Sequence, residues 1–110
     1  MYSYHAKIKR WIDGDTLILE VDLGFDVKRI ERIRLARIDS CEMNSDAVTY
    51  RRKARHARMV AKKFCPYGSM VEINTFRIKK DMYARYIAEV VFNGQNLSDY
   101  LLEEGVVELF

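Results

Sequence analysis

Proline occurs once and glycine five times in the 110 residues, so extended loops and low-complexity linkers have little material. Two cysteines, Cys41 and Cys65, are too few for a disulfide-stapled scaffold, and neither stands in a zinc-type Cys/His spacing. One disulfide is the most they could form. Long apolar runs are missing as well: stretches such as Val90-Val91-Phe92 fall far short of the roughly 20 residues needed to span a bilayer, so no membrane insertion is expected. Lys7, Lys9 and Arg10 are not followed by an apolar segment, so the chain carries no secretory signal and reads as cytoplasmic or as a trimmed secreted form. The 49% hydrophobic and 32% charged residues are those of a single globular domain, expected to span residues 1–110.

Charge is distributed unevenly. The formal net charge is only +3, but residues 51–63 carry seven Lys or Arg and no acid, whereas residues 96–110 carry four acids and no base. The basic segment fits either a solvated helix face or electrostatic steering of a polyanion. His56 within it reads as a surface residue, and Trp11 and Phe92 read as core.

Periodicity assigns the elements. Leu17, Leu19 and Val21 alternate with Thr16, Ile18, Glu20 and Asp22, a half-buried strand over residues 16–22. A shorter strand over residues 5–12 precedes it, and Asp13-Gly14-Asp15 supplies the turn, with glycine expected for its tolerance of positive φ. A third strand over residues 27–38 changes parity between Leu35 and Ile38, which implies a bulge or bend. Ala47, Tyr50, Ala54, Ala57, Ala61 and Phe64 then form a helical stripe, with Ser45 or Asp46 as the expected N-cap. Further strands are expected over residues 71–75 and 85–92, and a short helix over residues 97–104 ending at Gly105. The order predicts a mainly β, α+β domain: a five-stranded OB-fold-like barrel, antiparallel, with two helices.

Taken one at a time, the charged residues are unremarkable. Asp-Gly turns are common, Arg34 sits in an Arg/Glu-rich run, and Asp81 with Arg85 could form a surface ion pair. Together they form an ordered set: Ile12-Asp13-Gly14-Asp15-Thr16, then Arg34-Leu35-Ala36-Arg37-Ile38-Asp39-Ser40-Cys41-Glu42, then Asp81-Met82-Tyr83-Ala84-Arg85. With the ending Asn96-Leu97 to Gly105-Val106-Val107, this set resembles the staphylococcal nuclease (thermonuclease) family over about residues 6–109.

That resemblance implies a Ca2+-dependent phosphodiesterase acting with little sequence specificity on single-stranded or frayed DNA and RNA, leaving 3'-phosphates. It implies that Asp15, Asp39 and the Ser40 carbonyl ligate Ca2+, and that Asp13 acts through water. Such hard oxygen donors suit Ca2+, which takes six to eight of them. Arg34 and Arg85 are implied to clamp the phosphate, Glu42 to orient or deprotonate the attacking water, and Tyr83 to contact a neighbouring phosphate or sugar. Asp13, Asp15, Asp39 and Glu42 against Arg34 and Arg85 leave two negative charges, which one Ca2+ cancels. The alternative is a catalytically inactive nucleic-acid-binding module of the same fold. Cys41, Ser40, Met82 and Ala84 depart from common family residues. The chain also lacks the family's final C-terminal helix, leaving apolar surface for a second copy or another partner to cover.

Overall fold

The computed structural model describes residues 2–41, 47–80 and 85–110, with the side chains of residues 76–80 left aside. Its elements are β1 (Tyr2–Trp11), β2 (Thr16–Asp22), β3 (Lys28–Leu35), β4 (Ile38–Asp39), α1 (Val48–Phe64), β5 (Met70–Lys80), β6 (Tyr86–Phe92), β7 (Gln95–Asn96), α2 (Leu97–Glu103) and β8 (Glu108–Leu109). Hydrogen bonding runs in the order β3-β2-β1-β5-β6-β7. A further pairing of β3 with β6 closes five of these strands into a barrel, the OB-fold-like architecture expected. The closing pair is parallel, with Ile33 opposite Tyr86 and Leu35 opposite Ala88, which corrects the expectation of an all-antiparallel sheet.

The alternation of β2 carries directly into packing. Leu17, Leu19 and Val21 point into the barrel with Ile8, Ile33, Ile73 and Val90, all buried. In β1 the register shifts between Ile8 and Arg10, a bulge whose added twist helps the sheet curl shut. The parity change in the third predicted strand is a true break. β3 stops at Leu35, Arg37 takes a left-handed φ of 72°, and the chain re-enters as β4, which pairs with β8.

α1 lies against this barrel through Ala54, Ala57 and Ala61, and Tyr50 at the N-terminal end of the stripe is exposed. Its N-cap is Ala47, which provides no side-chain hydrogen bond, so the expected Ser45 or Asp46 cap is replaced; both of those residues lie outside the described ones. α2 is capped by Asn96, whose side chain accepts from the Asp99 N–H at 3.1 Å, and the chain leaves it through Gly105 at φ 70°. Tyr100 of α2 stacks on Phe64 of α1 with centroids 3.8 Å apart, while Phe64 meets Phe92 edge-on at 5.6 Å. Trp11 is core as expected, its Nε1–H donating to the Cys65 carbonyl at 2.8 Å. Both cysteines are free thiols, and Cys65 is buried. No helix among the described residues is long and apolar enough to cross a membrane.

Candidate functional site

The turn between β1 and β2, the end of β3 and the start of β6 meet at one corner of the barrel. Gly14 explains how closely. A Cβ there would lie 2.8 Å from the Ala57 Cβ of α1 and 2.8 Å from the Ser40 Oγ, so this position requires glycine for close approach. Positive φ, the reason expected from sequence, is found at four other glycines instead. The short alanine stripe of α1 and the missing side chain of Gly14 together let the acidic turn sink against Ser40. The Asp15 carbonyl then accepts the Leu35 N–H at 2.8 Å, tying the turn to the end of β3.

Asp15 is consequently buried, 5% exposed, and its carboxylate is surrounded by donors. The Thr16 hydroxyl donates to Oδ1 at 3.0 Å, the Ser40 N–H donates to Oδ2 at 3.1 Å, and Arg34 Nη2 stands 3.6 Å from Oδ2. Burial raises the Asp15 carboxyl above its usual range, and nearby Asp13 adds to that; Thr16, Arg34 and Ser40 oppose it without overcoming it. An anion held under those conditions is stabilised by any cation that enters.

Arg34 is also buried and is the central cation of the corner. Its Nη2 donates to Asp39 Oδ1 at 3.2 Å, so a single nitrogen lies between the Asp15 and Asp39 carboxylates. Asp39 itself is half exposed. Arg85, just before β6, donates from Nη1 to the Thr16 hydroxyl at 2.9 Å, so both expected arginines reach the same turn. Asp13 is half-buried, and its backbone N–H donates to the Thr16 carbonyl at 3.1 Å. Asp13, Asp15, Arg34, Asp39, Ser40 and Arg85 are thus brought together. Glu42 and Tyr83 lie outside the described residues.

Sequence reasoning missed two participants. Thr16 is buried, donates to Asp15 and accepts from Arg85, making it the link between carboxylate and arginine. Its outward parity on β2, directly after the acidic turn, was the available signal. Phe110 places its ring 4.7 Å from the Arg34 guanidinium carbon, its backbone N–H donating to the Arg37 carbonyl at 2.9 Å. Nothing local in the sequence marks that contact.

For Ca2+, the donor chemistry fits: Asp15 and Asp39 offer hard carboxylate oxygens at one corner, and Ser40 follows Asp39 directly. Among the described residues, no group of three or more acidic, His or Cys side chains is assembled around a common point. The position between the carboxylates is held by Arg34 Nη2, a cation standing where a metal's charge would be needed.

A closed five-stranded barrel bearing a buried acid and a buried arginine at one corner defines an OB-fold-like domain. Residues 32–109, well over half of the chain, match the family model described as staphylococcal nuclease homologue. The chain belongs to that family. The acidic turn at residues 13–15 precedes the matched span and joins the corner through the geometry given above. A search of the curated proteins found no match.

Proposed function

We propose that this chain is a Ca2+-dependent phosphodiesterase hydrolysing DNA and RNA with little sequence specificity and leaving 3'-phosphates. The observation that supports it most is the buried Arg34 guanidinium between Asp15 and Asp39, with Arg85 reaching the same turn through Thr16. Passive binding gives no reason to bury a cation and an acid together, because such a pair stabilises a fold less than apolar packing does.

In this reading Asp15, Asp39 and the Ser40 carbonyl hold Ca2+, and Asp13 holds it through water. Bound there, the ion supplies Lewis acidity toward a phosphate oxygen. Arg34 and Arg85 grip the remaining phosphate oxygens, their planar donor forks matching charge that grows toward the pentacoordinate state. Glu42 orients the attacking water and takes its proton, the water oxygen bonds to phosphorus, and the bond to the 5' oxygen breaks, that oxygen taking a proton from solvent to leave as the 5'-hydroxyl. Tyr83 steadies a neighbouring phosphate or sugar. The contacts proposed are all to phosphate and sugar, so sequence preference is weak.

Digestion of single-stranded DNA and of RNA with Ca2+, Mg2+ or chelator tests this directly. Cleavage with Ca2+, less with Mg2+ because of its stricter octahedral demand, and none with chelator is the expected pattern. Glu42→Gln should cut the rate by at least about 10² while changing metal affinity less than Asp39→Asn does. Retained binding with no cleavage in any metal would instead establish the inactive binding module.

A further inference from the structure

Adjoining Asp39 and Ser40 is a groove of about 520 Å³ between α1 and the segment from Gly105 to Glu108. That volume lies within the range of small-molecule sites. One wall is built by Tyr50, Lys53 and His56, spaced three residues apart on α1 and all exposed beside its buried Ala54 and Ala57. The opposite wall carries Glu108, whose strand β8 pairs with β4 so that Glu108 lies opposite Asp39.

The two walls differ in sign. Lys53 belongs to the acid-free segment of residues 51–63, and Tyr50 offers a flat ring 53% exposed. Asp39, at the end shared with the site, is paired with Arg34 at 3.2 Å. An anionic unit entering the groove is therefore drawn to the α1 wall and kept off Glu108. The groove begins at residues of the phosphate corner, so one continuous polymer can occupy both.

We propose that this groove is a strand-binding subsite for the nucleotide next to the scissile phosphate, with Lys53 and His56 meeting its phosphate and Tyr50 stacking its base. The proposal rests on the nuclease reading for the identity of the polymer, and it names a feature that reading does not require: substrate length is sensed on α1. Stacking of a base on an exposed ring is sequence-tolerant, in keeping with the weak sequence preference proposed.

The test is fluorescence anisotropy of labelled thymidylate octamer and dinucleotide, in Ca2+ and separately in chelator, with Tyr50→Ala, Lys53→Gln and His56→Gln. Lys63→Gln, an exposed lysine of the same helix outside the groove, is the control. Tyr50→Ala should weaken octamer binding at least about fivefold. Lys53→Gln should reduce the salt slope of octamer binding by about 0.7 and shrink the affinity gain from dinucleotide to octamer, which Lys63→Gln leaves in place. Cys41, half-buried in the groove, gives a readout independent of turnover: the octamer should slow its labelling by maleimide, while buried Cys65 stays unreactive.

Equal effects of Lys53→Gln and Lys63→Gln, with no effect of Tyr50→Ala and no protection of Cys41, would reduce the feature to diffuse helix charge and overturn the subsite. Binding and protection are measured without catalysis, so a wild-type chain that binds and protects but never cleaves removes the nuclease reading alone. Cleavage of the dinucleotide with no groove effect removes the subsite alone.

Discussion

Arg34 and Arg37 stand three residues apart, and their surroundings are opposite. Arg37 has a half-exposed side chain and is geometrically saturated. Its Nε and Nη2 donate to the two Glu89 oxygens at 2.6 and 3.0 Å, Nη1 donates to Asp99 at 3.0 Å, and Nη2 also reaches Asn96 Oδ1 at 3.2 Å. Arg34 is 8% exposed and loosely held, at 3.2 Å from Asp39, 3.6 Å from Asp15 and 3.5 Å from the Leu35 carbonyl. The exposed one fastens the segment after β3 to β6 and α2; the buried one lies between the Asp15 and Asp39 carboxylates. In the proposed phosphodiesterase, Arg34 grips the phosphate.

The sharpest break of this comparison is Arg34→Lys. It keeps the charge between Asp15 and Asp39 but loses the planar fork, so turnover in Ca2+ should fall by about 10² to 10³ with little change in thermal unfolding. Arg85→Lys should also slow turnover, by a different factor, because Arg85 reaches the corner through the Thr16 hydroxyl. A lysine at position 34 with near wild-type turnover would return Arg34 to a purely structural role.

How much of this could be read from residues depended on range. The β2 alternation, the α1 stripe and the break after Leu35 are local patterns, and each appears where the periodicity put it. The acidic turn and both arginines were visible as motifs and converge at one corner. The parallel closure of β3 on β6 was hidden, because it depends on residues more than 50 positions apart finding register. Gly14 was assigned the wrong reason: a turn motif says nothing of Ala57 and Ser40 pressing on it. The Arg37 clamp draws on Glu89, Asn96 and Asp99, which share no spacing, so nothing in the local sequence marks it. The two-residue strands β4, β7 and β8 are too short to leave a period.

Position 37 sharpens the comparison from the other side. Its φ of 72° costs a non-glycine residue about 1–2 kcal/mol, and the bonds to Glu89, Asp99 and Asn96 hold it there. Arg37→Ala removes the bonds and keeps the backbone cost, for an expected loss of about 1–2 kcal/mol in urea unfolding. Arg37→Gly removes both, so it should be more stable than Arg37→Ala by about 1 kcal/mol. Neither should approach the turnover loss of Arg34→Lys. If glycine and alanine are equally stable, the left-handed corner carries no strain, and the clamp serves some purpose other than holding it.

The smallest effect separates the two arginines by pH, measured in chelator. Arg37 holds the Glu89 carboxyl below its usual value of 4.5, outweighing the opposing push of burial, and Asn96 adds to the lowering. The folded state then binds fewer protons than the unfolded one as pH falls below that value. The clamp's contribution is complete above it and drains away as pH drops through the lowered value. Asp15 runs the other way. Burial raises it above 3.8 despite Arg34, so between 3.8 and the raised value the folded state holds more protons, and stability falls as pH rises. Against wild type, Glu89→Gln should therefore lose its deficit as pH falls through the lowered Glu89 value, whereas Asp15→Asn should gain ground as pH climbs from 3.8 through the raised Asp15 value. Thermal unfolding across pH 3 to 8 reads both slopes. Slopes of the same sign would mean that Arg34 satisfies Asp15 as fully as Arg37 satisfies Glu89, and the contrast between the two arginines would be gone.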